Sequence, residues 1–99
     1  MKVFWTDTAV ENLSAIYIYI AQNFSQNAER LIDKLTRRSE QITNFPLSGR
    51  VVAEFETKQI REVIESSYRI IYYIKSDQIE ILAVIHGSQQ IQLPKEPED

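Results

Sequence analysis

The chain has 99 residues, 43% apolar and 25% charged, with a net charge of −3 and no cysteine. This length and composition predict one folded domain over residues 1–99 and exclude a disulfide framework or a thiolate metal site. The acidic balance argues against a ligand that is bound mainly through its phosphates. No signal peptide is visible and no apolar run approaches the roughly 20 residues of a membrane span, so we expect a cytoplasmic protein without membrane contact.

The N-terminal part of the chain predicts one strand followed by a helix. The opening run MKVFW favours a strand. Thr8 and Glu11 then have the spacing of a capping box, and apolar residues recur at steps of three and four, which predicts a helix over residues 8–22. The predicted apolar stripe consists of Val10, Leu13, Tyr17, Ile20, Ala21 and Phe24.

A second helix is predicted over residues 26–44, with Ser25 or Asn27 as its cap. Pro46 disfavours helical geometry at the residue before it and should end this helix. The apolar positions of the second helix are Ala28, Leu31, Ile32, Leu35, Ile42 and Phe45. Two successive helices with the short link NFSQN predict an antiparallel hairpin.

Beyond Gly49, which is free to adopt a positive φ, the apolar period falls to two. Strands are predicted over residues 50–55, 59–64, 68–75 and 78–86, with the last two joined near residues 76–77. The tail over residues 88–99 is polar and acidic at its end, and we expect it to fray. The expected fold class is α+β: an N-terminal strand and an antiparallel helical hairpin packed on one face of a mostly antiparallel sheet.

Alternation in the last hairpin assigns its side chains to two faces if the register is simple. The residues expected to pack on the helices are Ile70, Tyr72, Ile74, Ile79, Ile81, Ala83 and Ile85. The residues expected on the opposite face are Arg69, Ile71, Tyr73, Lys75, Glu80, Leu82, Val84 and His86. Because the helices cover only one face, the second is expected to be open and its apolar middle to bind a partner, unless the tail folds over it.

Several elements follow one another along the chain: the helical hairpin, the segment FPLSGR, Glu54, and the segments IREV, YRIIYYI and ILAVIHG. Their order resembles that in the RelE/ParE superfamily of toxins from bacterial type II toxin-antitoxin systems. The resemblance spans residues 5–87. It implies a compact α+β domain and a small antitoxin that wraps it, and a homodimer is also compatible with it. Under this hypothesis the antitoxin contacts the apolar middle of the open face: Ile71, Tyr73, Leu82 and Val84.

Members of this superfamily differ in their target. RelE-like members cut messenger RNA on the ribosome, whereas ParE-like members inhibit DNA gyrase without cleaving RNA. The elements FPLSGR, YRIIYYI and HG look more like the ParE side, which implies DNA gyrase as the partner and Arg50, Arg61 and Arg69 as target-binding residues. Relatives commonly carry an arginine after His-Gly, where this chain has Ser88.

The alternative is a ribonuclease in which Glu54, Arg69 and His86 act together. Cleavage by a 2′-hydroxyl needs a base, an acid and a cation for the developing charge, and these three residue types supply them. Structural roles are also open: Arg69 pairs with Glu54, Glu62 or Glu80, and His86 is a surface residue. A third hypothesis is an inactive toxin fold that only binds antitoxin. We expect neither cofactor nor metal, since one histidine and scattered acids lack ligand spacing.

Overall fold

The structure, a computed structural model, describes residues 1–89. Its elements are β1 (Lys2–Trp5), α1 (Asp7–Ala21), α2 (Ser25–Gln41), a 3₁₀ turn (Pro46–Ser48), β2 (Arg50–Val51), β3 (Ile60–Glu65), β4 (Tyr68–Ile74) and β5 (Gln78–His86). The sheet order is β1-β5-β4-β3-β2, with β1 parallel to β5 and every other pair antiparallel. The predicted α+β class, the helical hairpin and the turn between the last two strands are confirmed. No helix in this part of the chain has the length and apolar character to span a membrane.

The N-cap of helix α1 lies two residues before its predicted position. Thr6 is the N-cap, and its hydroxyl accepts a hydrogen bond from the backbone N–H of Ala9 at 3.2 Å, so the assignment of Thr8 as the cap is wrong. Ala9 is buried in the core, while Val10 and Tyr17 of the predicted stripe are exposed. The predicted stripe is correct at Leu13, which packs against the core, and wrong at Val10 and Tyr17, because apolar residues lie on nearly every side of this helix.

Helix α2 carries a clearer pattern, and most of its predicted apolar stripe packs inward, but Ser39 is also buried and the predicted Phe45 is exposed. Ala28 and Leu35 are buried within the helix, and Ile42 is buried just after it. Phe24 occupies the N-cap position without a side-chain hydrogen bond, so the prediction of a Ser25 or Asn27 cap is wrong. The solvent side of α2 carries both signs of charge, since the four bases between positions 30 and 38 lie among three exposed acids and Arg37 pairs with Asp33.

The segment after α2 is less regular than predicted. Strand β2 ends at Val51, and the next residues turn so that Val52 and Phe55 pack against the sheet. Gly49 has a φ of −72°, not the expected positive value. Its lack of a side chain matters for another reason: a Cβ there would collide with the Tyr72 hydroxyl and would lie 2.8 Å from the Glu62 carbonyl oxygen.

A β-bulge in β5 changes which side chains face the helices. Ile71 of β4 pairs with Ala83, whereas the next residue, Tyr72, pairs with Ile81, so Leu82 is the extra residue. Leu82 and Ala83 both join the cluster on the face away from the helices, and alternation then resumes with the opposite parity. The simple register is therefore wrong after Leu82. Val84 faces the helices, and Ile85 faces away from them.

Polar groups at the start of α1 satisfy the backbone near this bulge. Strand β1 accompanies β5 only as far as the pair Trp5 and Ile81. The Thr6 hydroxyl donates to the carbonyl oxygens of Ile81 at 2.8 Å and Leu82 at 3.3 Å, and the Val84 N–H donates to Asn12 Oδ1 at 3.0 Å. Backbone groups that have lost a strand partner thereby keep a hydrogen bond.

The sheet buries apolar residues on both faces. The helix-side core contains, among others, Leu35, Ile70, Tyr72 and Ile81. The second cluster, on the far face, contains Val52, Phe55, Ile60, Ile71, Tyr73, Leu82 and Ala83, with Ile85 packed against it. The expectation of an open face is therefore wrong, since the segment between β2 and β3 contributes side chains that cover it.

Candidate functional site

Arg69 lies at the centre of a buried charge cluster on the far face of the sheet. Its side chain is 9% exposed, and its Nε donates to Glu62 Oε1 at 2.5 Å. Its Nη groups donate to both Glu54 carboxylate oxygens, at 3.3 and 3.4 Å, and to the Gln89 carbonyl oxygen at 3.1 Å. The predicted pairing of Arg69 with an acid is confirmed, and the partners are Glu54 and Glu62 rather than Glu80.

The electrostatics of Arg69 follow from these contacts. Burial lowers the pKa of its guanidinium, but hydrogen bonds and charge interactions with Glu54 and Glu62 outweigh burial, so the pKa is raised above its ordinary value. Arg69 is thus permanently charged, and two carboxylates compensate that charge. Little of its positive potential remains for an external anion.

Arg50 shares a carboxylate with Arg69 but differs from it in exposure. Arg50 Nε donates to Glu62 Oε2 at 2.5 Å, so the buried Glu62 bridges the two arginines. The Arg50 side chain is 69% exposed. Among the described residues, none accepts a hydrogen bond from its Nη groups. Arg50 is therefore oriented by its inner nitrogen and presents its outer edge to solvent.

A shallow pocket of about 350 Å³ lies over this cluster. Its lining residues are Arg50, Val51, Ala53, Glu54, Glu62, Arg69 and Gly87. The pocket brings together two of the three candidate catalytic residues, Glu54 and Arg69. Acids and arginines alternate around it, so it is close to neutral rather than an anion-binding site.

Arg61, the third predicted target-binding residue, holds the backbone of its own protein. Its Nη1 donates to the carbonyl oxygens of Leu47 at 3.1 Å and Gly49 at 2.9 Å, and its Nε donates to that of Lys58 at 3.0 Å. These contacts fix the loop before β2. The target-binding role of Arg50, Arg61 and Arg69 stays a prediction. Arg50 is the member for which neither Nη group has an acceptor among residues 1–89.

Tyr72 holds the same loop from the helix side. Its fully buried hydroxyl donates to the Pro46 carbonyl oxygen at 2.6 Å and accepts from the Gly49 N–H at 3.0 Å. Burial raises the pKa of Tyr72, outweighing the lowering effects of the Gly49 hydrogen bond and of the Arg61 and Arg38 charges. The hydroxyl thus stays protonated and keeps both hydrogen bonds at neutral pH.

His86 lies apart from Arg69, on the other face of the sheet. Its strand partner is Tyr68, whose ring packs against the helix-side core, and the two rings meet edge to face at 5.7 Å. The expectation that Arg69 and His86 share a face is wrong, because the bulge at Leu82 inverts the parity of β5. His86 is exposed, and its Nδ1 contacts the Ser88 hydroxyl at 2.7 Å.

The four residues predicted to bind antitoxin, Ile71, Tyr73, Leu82 and Val84, are all buried. Val84 also faces the helices. Antitoxin contact with them stays a prediction, but it would require displacement of what covers them. The exposed apolar residues lie elsewhere and include Val10, Tyr17, Ile18, Tyr19 and Phe24 of the helical hairpin. Their exposure was hidden in the sequence because α1 has no single apolar stripe.

No group of three or more potential metal ligands occurs among residues 1–89.

Comparisons of the sequence and of the fold with known proteins identify the family of this chain. Residues 3–91 match the family described as the ParE toxin of the type II toxin-antitoxin system parDE. The chain belongs to this toxin family.

Individual relatives carry names from both branches of the superfamily. Toxin RelE2 of Caulobacter vibrioides is 29% identical over 89 residues, covering 89% of this chain and 97% of its own. A structure titled as the chromosomal ParDE system from P. aeruginosa has a TM-score of 0.71 at 18% identity and covers 87% of this chain and 95% of its own.

The RelBE2 toxin-antitoxin complex from Mycobacterium tuberculosis has a TM-score of 0.57 at 17% identity, covering 86% of this chain and 95% of its own. Both structural matches show the fold alone at such identities. The comparisons place the chain in the RelE/ParE superfamily and do not separate gyrase binding from messenger cleavage.

Proposed function

We propose that this toxin acts in the cytoplasm in the ParE manner, inhibiting growth by binding DNA gyrase, and that a cognate antitoxin neutralises it. The observation that carries this proposal is the division of the candidate catalytic residues between two faces of the sheet. Glu54 and Arg69 lie together on one face, whereas His86 pairs with Tyr68 on the other. A general acid and a cation that serve the same phosphate are expected on the same side of a sheet, so this division supports the ParE-like role over the ribonuclease.

The charge distribution also supports a protein target. The acidic chain offers little of the positive potential that ribosome-bound RNA rewards, and Arg69 is already neutralised by Glu54 and Glu62. Binding to a protein surface demands neither a catalytic triad nor an excess of positive charge.

The experiment is induced expression of wild type and His86→Ala, with growth, messenger cleavage and supercoiling by purified gyrase measured side by side. We expect both proteins to inhibit growth and supercoiling and to leave messenger RNA intact. Messenger cleavage by wild type that is lost in a folded His86→Ala would support the ribonuclease instead. Normal growth with wild type would support the inactive binder.

For the antitoxin, we propose the exposed apolar side of the helical hairpin as the contact surface. A groove of about 320 Å³ runs between the helices, lined by Val10, Leu13, Ser14, Tyr17 and Ile32. An amphipathic segment that orders on binding could bury its apolar side chains there. A homodimer stays a further possibility for the free toxin.

Co-expression with the small gene next to the toxin gene tests this contact. Val10→Asp should prevent co-purification, and the acid is compatible with folding because it lies near the N-terminus of α1. Phe4→Asp is the control, since Phe4 is exposed on β1. A complex that survives Val10→Asp unchanged would contradict the proposed groove.

A further inference from the structure

The segment over residues 45–51 exposes apolar side chains on a fixed backbone. Phe45 is 72% exposed, Leu47 69% and Val51 43%. Single exposed apolar residues are common on protein surfaces, but three within seven residues beside an edge strand form a patch. We name the residues Phe45, Leu47, Arg50 and Val51 the β2-edge surface.

The backbone beneath this surface is held by side chains from two strands of the sheet. The Tyr72 hydroxyl bonds the Pro46 carbonyl and the Gly49 N–H, and Arg61 Nη1 bonds the carbonyls of Leu47 and Gly49. A buried tyrosine and an arginine thus fix a loop whose own large side chains point to solvent. Such preorganisation lowers the entropy lost when a partner binds.

The charge around the β2-edge surface indicates the chemistry of that partner. Residues 41–53 contain no acidic side chain and Arg50 is their one base, although Glu54 and Glu62 also line the pocket beside Arg50. The buried carboxylate of Glu62 engages Arg50 at Nε and leaves its Nη groups without acceptors in the described part of the chain. The free edge of a guanidinium suits two parallel hydrogen bonds to a carboxylate.

We propose that the β2-edge surface docks a segment of the toxin's protein target that carries a carboxylate beside apolar side chains. In this arrangement the carboxylate binds Arg50, and the apolar side chains cover Leu47, Phe45 and Val51. An aromatic residue and an arginine at the centre of a patch are typical of the residues that dominate binding energy. A protein segment fits better than RNA, since Arg50, which already pairs with Glu62, and Arg61 on the neighbouring strand are too few cations to hold a phosphate backbone.

This inference rests on the proposed function and adds the surface and the kind of segment it recognises. The antitoxin is assigned to the helical hairpin, so the two partners contact different parts of the toxin. Changes at the β2 edge should therefore separate toxicity from neutralisation.

The principal variant is Leu47→Asp, which places an acid beside the expected carboxylate. Because Leu47 is exposed, the fold should be unaffected, and a thermal melt checks this. We expect the concentration needed to inhibit gyrase supercoiling to rise about tenfold or more, with antitoxin binding retained. Arg50→Lys should weaken inhibition by a smaller factor, since lysine keeps the charge but not the paired donors.

Phe4→Asp is the matched control, an exposed apolar residue on β1 at the opposite edge of the sheet. It should inhibit gyrase as wild type does. Folded Leu47→Asp and Arg50→Lys proteins that inhibit as wild type does would overturn the inference. So would loss of antitoxin binding in Leu47→Asp, which would identify the antitoxin as the occupant.

The same variants distinguish failure of the proposed function from failure of the surface. If wild type slows growth while gyrase is unaffected and messenger RNA stays intact, the gyrase proposal fails. The surface is then judged by growth: loss of inhibition in Leu47→Asp supports it, and retention overturns it. Messenger cleavage that Leu47→Asp abolishes would identify RNA as the occupant and overturn the inference, and a wild type without any effect on growth would overturn both proposals.

Discussion

Strand β4 buries Tyr72 on the helix side of the sheet and Arg69 on the far side, and these two side chains hold the same loop by different chemistry. On the helix side, the neutral Tyr72 hydroxyl bonds backbone groups of Pro46 and Gly49 directly. On the far side, the charged Arg69 holds Glu62 and Glu54, and Glu62 in turn holds Arg50. Residues 46–54 are therefore fixed from both faces.

The difference between the two attachments lies in what happens when one partner is lost. A neutral hydrogen bond adds modest net stability, and its loss leaves two unsatisfied groups. A buried charge that loses its partner is far more costly, because its removal from water is no longer compensated. The far face should therefore be the more sensitive to substitution, although both attachments serve one loop.

The largest effect is expected from Arg69→Met. Glu62 would remain buried with Arg50 alone, and Glu54 would lose two hydrogen bonds. We expect the free energy of unfolding to fall by about 3–5 kcal/mol in urea denaturation. Adding Glu62→Met should recover part of that loss, and a loss below about 1 kcal/mol for Arg69→Met would mean that the cluster contributes little.

A smaller effect, with a distinctive pH dependence, is expected from Tyr72→Phe. At neutral pH it should cost about 1–3 kcal/mol, since the Gly49 N–H and the Pro46 carbonyl lose their partner. Because the folded state raises the pKa of Tyr72, the unfolded chain releases this proton first as the pH rises. The contribution of Tyr72 to the free energy of unfolding of the wild type should therefore be fully present below about pH 10 and should decrease above it.

The measurement is denaturant unfolding at a series of pH values between neutral and strongly alkaline. Tyr72→Phe should reduce the alkaline loss of stability, because the protonated hydroxyl that favours folding is gone. Tyr19→Phe is the control, as Tyr19 is largely exposed. Equal alkaline slopes for wild type and Tyr72→Phe would show that Tyr72 is not responsible.

The smallest effect is expected from His86→Ala, at the exposed end of β5. Its side chain contacts the hydroxyl and the backbone N–H of Ser88 and packs edge to face with the Tyr68 ring. We expect the free energy of unfolding to change by less than about 0.5 kcal/mol. A loss comparable to that of Arg69→Met would show that His86 belongs to a structural network after all.

The spacing of apolar residues was sufficient to predict the order of helices and strands, because the period that marks each element is contained within that element. The helical hairpin and the strand turn at residues 76–77 follow from spacing that any short window contains. The pairing of Arg69 with acids was also predictable, since a buried arginine needs a carboxylate and few were in reach. The choice of Glu54 and Glu62 depended on the β3–β4 register.

The incorrect predictions for β5 and for the far face arise from contacts between residues that are distant in the sequence. The bulge at Leu82 is accompanied by two hydrogen bonds to residues some 70 positions away in sequence: the Thr6 hydroxyl donates to the Leu82 carbonyl, and Asn12 accepts from the Val84 N–H. The burial of Ile71 and Leu82 depends on Val52 and Phe55, which the pattern assigned to an ordinary edge strand. No window around β5 contains either piece of information, so the sequence pattern misassigned the faces of β5 after Leu82 and placed Arg69 and His86 on one face.

The bulge at Leu82 also affects how β5 is compared with the same strand in related toxins. A relative that lacks the extra residue would carry its terminal histidine on the opposite side of the sheet, next to the arginine of β4. Two chains with the same residues at the end of this strand could then differ in chemistry because of one inserted amino acid. An alignment without a gap at this point would match side chains that face in opposite directions.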